Sequence, residues 1–135
     1  MPLHYLLDTN IVSDLIRHPQ GPVARRITSK GEDTVCTSVV VAAELRYGVE
    51  KAGSKRLSER VNLVLSALEV LPLEIPGDLH YGAIRHHLTR HGTPIGPNDL
   101  LIAAHARALD LTVVTDNERE FSRVPDLRVE NWLSD

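Results

Sequence analysis

Short apolar runs alternate along this chain with stretches whose apolar residues fall at helical spacing. Residues 3–7 are an apolar run that stops at Asp8, the signature of a buried strand. Residues 11–17 carry helical periodicity and Pro19 closes them, while residues 22–30 predict a second helix ended by Gly31. The short β-branched stretch 34–38 predicts a second strand. Residues 39–49 predict a helix in spite of four valines. Ala42, Ala43, Glu44, Leu45 and Arg46 are good helix formers, and Ser38 suits the N-cap. Residues 55–68 are plainly amphipathic, with Leu57, Val61, Val64, Leu65 and Leu68 on one stripe. Residues 70–75, interrupted by Pro72, predict a short edge strand. Helices follow over 78–91, closing at Gly92, and over 98–109, then a buried strand at 111–115 and a last strand within 128–132.

Strands that alternate with helices predict an α/β fold: a mostly parallel central sheet of about five strands flanked by helices. No repeat, linker or low-complexity stretch divides the chain, so residues 1–135 are expected to form one domain. In such sheets the functional groups gather at the carboxyl ends of the strands, which gives particular weight to acids placed there.

Composition narrows the chemistry. Aromatic residues make up 4% of the chain, so the core is expected to be built from Leu, Val, Ile and Ala. Cys36 is the only cysteine, which excludes an internal disulfide and a thiolate zinc site; within a strand it reads as a buried, inert thiol. The first residues lack a basic stretch followed by a signal-length apolar run, and no segment approaches a bilayer span. A cytoplasmic protein with no membrane role is expected. The net charge of −3 argues against a nucleic-acid partner, but its distribution does not. Residues 45–61 hold five basic residues against two acids. Residues 79–98 hold Arg85, Arg90 and four histidines with no acid, and residues 99–135 hold eight acids against four arginines. That is the pattern of a cationic rim around an anionic centre, although solvated helix faces explain such runs equally well.

The acids are the candidate chemistry. Asp8 and Asp116 each directly follow a predicted buried strand. A carboxylate there is desolvated and repelled by its neighbours unless a cation intervenes, or else it caps the next helix. Asp99 opens a helix so apolar that it must be buried, which turns the side chain toward the interior or a cleft; the helix dipole alone would also favour an acid there. Glu44 is expected on an inward stripe with Val40 and Tyr47, and a buried glutamate needs an arginine or a cation. Four acids from four elements make an all-oxygen site suited to Mg²⁺ or Mn²⁺. Such an ion cancels repulsion, polarises a phosphate and activates water. Thr9, Asn10, Thr115 and Asn117 flank the acids as orienting groups or as ordinary turn residues. Glu120, between Arg119 and Arg123, reads as a surface residue before it reads as a fifth member. His86, His87 and His91 lie among Arg85 and Arg90 and form no evident zinc set.

The blocks Leu6-Leu7-Asp8-Thr9-Asn10, Ala43-Glu44-Leu45-Arg46-Tyr47-Gly48, Gly96-Pro97-Asn98-Asp99-Leu100-Leu101-Ile102-Ala103-Ala104-His105-Ala106 and Val114-Thr115-Asp116-Asn117 with Glu120-Phe121 occur in this order. Together they resemble the PIN-domain family, and within it the VapC toxins of bacterial toxin–antitoxin pairs. The likeness runs on to Val129-Glu130-Asn131-Trp132, essentially the whole chain. The resemblance implies an Mg²⁺- or Mn²⁺-dependent endoribonuclease directed at structured RNA, often transfer RNA. It also implies a homodimer and a cognate antitoxin that occludes the site, in a heterotetramer or larger assembly. It carries the catalytic role to Asp8, Glu44, Asp99 and Asp116, with Asp8, Asp99 and Asp116 as metal ligands. The position of Asp116 is Asn in some relatives, and Glu120 is then the residue that shares its duty. Arg46, Arg85 and Arg90 are the candidates for contact with the RNA backbone.

Two other α/β readings fit less well. A receiver-like phosphoacceptor domain wants a lysine at a late strand end, and the only lysines are Lys30, Lys51 and Lys55. A haloacid-dehalogenase-like phosphatase wants a second Asp two residues after the first, where this chain has Asn10. A catalytically silent PIN fold that acts only by binding is a third alternative, and the presence of all four acids argues against it.

Overall fold

The computed structural model describes residues 2–133. Along the chain run β1 (Tyr5–Leu7), α1 (Thr9–Arg17), α2 (Pro22–Lys30), β2 (Val35–Ser38), α3 (Val39–Ala52), α4 (Lys55–Ala67) and β3 (Glu69–Leu71). There follow α5 (Gly77–Arg90), α6 (Pro97–Ala108), β4 (Thr112–Val114), the four-residue α7 (Glu118–Phe121) and β5 (Val129–Glu130). The strands form one sheet in the order β3-β2-β1-β4-β5, and every neighbouring pair is parallel. Helices connect all the strands, as parallel pairing requires. α1 packs on α2, α3 and α4, and α5 packs on α6.

β1 is central, and its Leu6 and Leu7 are completely buried, which explains why its sequence is continuously apolar rather than alternating. The chain builds outward from β1 through β2 to β3, then crosses back to β4 on the other side. The switch point therefore lies between β1 and β4, where strand ends leave a crevice open to chemistry.

Local differences from the sequence pattern have local causes. α1 begins two residues early because the Asp8 carboxylate accepts from the Thr9 amide and caps it. α3 continues to Ala52, where Gly53 takes the left-handed conformation at φ 62° and stops it. β3 ends at Leu71 because Pro72 has no amide to extend the ladder. A 3₁₀ turn at Glu32–Thr34 and α7 are too short to show periodicity in the sequence.

The core is aliphatic in bulk, yet two of its largest fully buried side chains are Trp132 and Phe121. Tyr5 meets the Trp132 ring edge-on at 5.1 Å, and the indole Nε1 donates to Glu130 at 2.9 Å. Cys36 is buried, and burial pushes its thiol up to about 12, which leaves it unreactive at neutral pH. Among the described residues no helix is long and apolar enough to cross a membrane.

Candidate active site

The register of the sheet builds the centre. Leu7 pairs with Val114, so the residues that follow, Asp8 and Thr115, leave neighbouring strand ends side by side. The Asp8 amide donates to the Val114 carbonyl at 2.9 Å, fixing the turn. Thr115 Oγ1 donates to Asp8 Oδ2 at 2.8 Å, and the Thr9 amide donates to Oδ1 at 2.8 Å. Asp8 is 4% exposed. Burial raises its carboxyl above the ordinary value; those two hydrogen bonds oppose the rise, and the charges of Glu44 and Asp116 add to it. Asp8 thus caps α1 and presents charge to the site at once, which joins two readings that the sequence left as alternatives.

α3 delivers Glu44, though not as its sequence pattern predicts. The residues it buries are Val41 and Leu45, whereas Tyr47 is 68% exposed. The expected inward stripe therefore lies at the margin of the core: Val40 packs partly buried against it, Glu44 stands half-buried and Tyr47 faces solvent. Valine side chains are bulky, and the helix turns the face that fits the sheet inward. Thr9 Oγ1 donates to Glu44 Oε1 at 2.5 Å and ties α3 to the start of α1.

α6 delivers Asp99 in its first turn, half-buried. Burial pushes the Asp99 carboxyl up to about 7; a hydrogen bond shared with Glu120 and the charges of Asp8, Glu120 and Glu44 contribute. Glu120 is not the surface residue that its arginine neighbours imply. It is half-buried, and Asn117 Nδ2, one turn earlier, holds its Oε2 at 2.7 Å. The Asn-x-x-Glu spacing across the start of α7 was the signal in the sequence that marked this pairing. Asn117 is itself fixed by its amide donating to Thr115 Oγ1 at 2.9 Å. Asp116 is exposed, and Asn10 Nδ2 donates to its Oδ1 at 3.0 Å.

Asp8, Glu44, Asp99, Asp116 and Glu120 thus come from five places in the sequence to one sheet edge. Their hydrogen-bond donors are the neutral groups of Thr9, Thr115, Asn10 and Asn117. Among the described residues the one ion pair is Arg128 with Asp110, on the surface. The cluster is therefore a set of like charges with no cation to balance it. Among the described residues no three Asp, Glu, His or Cys side chains stand within common reach of one ion. Mg²⁺ does not require such a cage, because it keeps much of its water and takes one or two protein carboxylates together with phosphate oxygens.

Among the described residues the basic candidates form no ion pair with these acids. Arg46 is exposed and hydrogen-bonded to Asn62 of α4. Arg85, also exposed, donates to the Tyr81 hydroxyl at 3.0 Å, and Arg90 is exposed at the end of α5. His87 and His91 stack with ring centroids 4.1 Å apart. A separate groove of about 530 Å³ lies between α1, α2 and α4. Leu15, Ile16, Ile27, Val64 and Leu68 line it, with Arg17 and Arg60 alongside.

The PIN domain family matches residues 5–127 of this chain. The chain is 40% identical over 130 residues to "Ribonuclease VapC2" of Rickettsia felis, covering 95% of this chain and 97% of that protein. It is 39% identical over 131 residues to the "tRNA(fMet)-specific endonuclease VapC" of Salmonella typhimurium, covering 96% and 98%. Among solved structures it resembles VapBC2 from Rickettsia felis bound to a promoter DNA fragment, with TM-score 0.88, 38% identity and coverage of 98% and 99%. DNA-bound VapBC from Salmonella typhimurium gives TM-score 0.86, 38% identity and coverage of 96% and 98%.

Proposed function

The chain belongs to the PIN-domain family and to its VapC branch, and from that premise we propose that it is a metal-dependent endoribonuclease toxin that cuts structured RNA. The observation that supports this reading best is the uncompensated carboxylate cluster at the β1–β4 switch point. Side chains that repel one another with only neutral donors around them are suited to sharing a divalent ion.

In this proposal Asp8 and Asp99 hold the ion, Mg²⁺ or Mn²⁺, water and phosphate oxygens complete its shell, and Asp116 or Glu120 reaches it through a bound water. The ion supplies neutralisation of the cluster, polarisation of the phosphodiester and activation of water. Thr115 and the Thr9 amide keep both Asp8 oxygens oriented, and Thr9 Oγ1 does the same for Glu44. Glu44 and Glu120, whose charges both reach Asp99, are the groups assigned to accept a proton as water attacks. Arg46, Arg85 and Arg90 provide contacts to the RNA backbone from outside the cluster.

The partner in this proposal is an antitoxin, as in the VapBC complexes that the fold resembles. The groove between α1, α2 and α4 offers apolar walls and two arginines, which suit an apolar helix with acidic flanks. A homodimer is part of the same proposal. It is supported by the exposed apolar residues Tyr47 on α3 and Leu79 on α5, and by the open space around Gly48 and Gly82 in those helices. A cytoplasmic location follows from an RNA substrate.

The test is cleavage by the purified chain. Transfer RNA, the initiator species included, is incubated with Mg²⁺, with Mn²⁺ or with excess EDTA, and the new 5′ ends are sequenced. Defined cuts with either ion and none in EDTA are expected. Equal cutting in EDTA refutes the metal mechanism, and no cutting of any RNA refutes the nuclease reading.

A further inference from the structure

His105 is 2% exposed, lies on α6 and hydrogen-bonds to none of the acids. Its Nδ1 is 2.8 Å from Ser38 Oγ, and both side chains are buried. Ser38 is the N-cap of α3, with Oγ accepting from the Val40 amide at 3.0 Å. That amide occupies an oxygen lone pair, so the hydroxyl hydrogen is free to reach Nδ1. Burial favours the neutral imidazole that can accept it, and outweighs the opposing pull of the Pro72 backbone. The far nitrogen, Nε2, has no well-formed hydrogen bond among the described residues. The cap hydroxyl is therefore the one side chain that holds the ring by a polar contact.

The position of this contact gives it a consequence. Glu44 lies six residues after Ser38 on α3, and Asp99 lies six residues before His105 on α6. At 1.5 Å per residue each is a strut of about 9 Å. Both struts leave the Ser38–His105 pin and arrive at one cluster, where Asp99 senses the charge of Glu44. If the pin slackens and lets one helix swing by about 5°, the carboxylate at the end of a strut of about 9 Å moves by roughly 0.8 Å. Displacements near 1 Å are enough to cost a catalytic site about a hundredfold.

We propose that His105 is a positioning residue: by accepting the Ser38 hydroxyl through Nδ1 it pins α3 to α6 and sets the spacing of Glu44 and Asp99. This inference rests on the nuclease reading, deepening it by one residue that touches neither RNA nor ion. The buried pin makes no contact with RNA, so its loss falls on turnover and ion binding rather than on KM.

The experiment compares His105→Leu, His105→Asn and Ser38→Ala with the unmodified protein. Asparagine places Oδ1 where Nδ1 stood and keeps the acceptor, whereas leucine keeps the bulk alone. Cleavage at varied transfer RNA concentrations gives kcat and KM, and titration with Mn²⁺ alone, without RNA, gives ion affinity. His105→Leu and Ser38→Ala should each lower kcat and Mn²⁺ affinity about tenfold to a hundredfold. KM should stay within a factor of about three, and His105→Asn should restore most of the loss. Full kcat and Mn²⁺ affinity in His105→Leu overturns the inference. So does a folded His105→Asn as impaired as the leucine variant, because the retained acceptor would then do nothing to hold the two helices. If His105→Leu does not fold, Ser38→Ala and His105→Asn decide by the same two readouts. Absence of cleavage by the unmodified protein refutes the nuclease reading instead, a result distinct from any failure of the pin.

Discussion

Replacing Asp99 by asparagine should make the ion-free protein more stable at pH 8 and abolish its cleavage of RNA. The carboxyl of Asp99 rises from 3.8 to about 7 through burial, the Glu120 hydrogen bond and neighbouring carboxylates. A folded-state value above the unfolded one means that the folded protein binds the proton more tightly. Its stabilising effect is complete below about pH 4 and is lost as pH rises through the interval to 7. At about 1.4 kcal/mol per pH unit the full interval of about three units amounts to roughly 4 kcal/mol. Asp99 is only partly buried, and solvent screening reduces this to roughly 2 kcal/mol. The substituted amide carries no charge and escapes the loss. Urea unfolding followed by circular dichroism in EDTA should therefore give equal stabilities near pH 4. At pH 8 the variant should gain roughly 2 kcal/mol, a Tm difference on the order of 6–10 °C. Saturating Mg²⁺ should stabilise the unmodified protein and do little for the variant, because a ligand that binds only the folded state shifts the equilibrium toward it. An Asp99→Asn variant no more stable than its parent at pH 8, or with an advantage independent of pH, refutes the repulsive-cluster argument.

Other expectations rest on other parts of the molecule. Asp8→Asn should lower cleavage by at least about a hundredfold while RNA binding in a filter assay stays unchanged, since Asp8 is assigned to the ion and not to the RNA. Leu63 of α4 is 73% exposed beside the groove between α1, α2 and α4. Leu63→Glu should leave ribonuclease activity intact and weaken neutralisation by a co-expressed antitoxin at least about tenfold, read as growth arrest that the antitoxin no longer relieves. Arg85→Ala and Arg90→Ala should each reduce the slope of log K against log salt for RNA binding by about one, with no change of preferred cut site. Unchanged slopes would remove α5 from the RNA interface.

The sheet and its helices were legible from the chain alone, because continuous apolar runs such as Leu6-Leu7 and Val113-Val114 can only be satisfied inside a covered parallel sheet. Asp8, Glu44, Asp99 and Asp116 stood out as candidates too, since acids beside buried runs contrast with a periodic background. Rotation and distance were not legible. The facing of α3 depends on which of its apolar residues fits the sheet, and Val41 and Leu45 take that place over Val40 and Tyr47. Glu120 looks solvated beside Arg119 and Arg123, and only the turn that lets Asn117 grip it brings it to Asp99. His105 and Ser38 are 67 residues apart, and no local pattern links an N-cap to a histidine on another helix. Periodicity records which side of an element is apolar. The repulsion among the acids and the contact that holds two helices in register exist only once packing has brought those groups within a few ångströms.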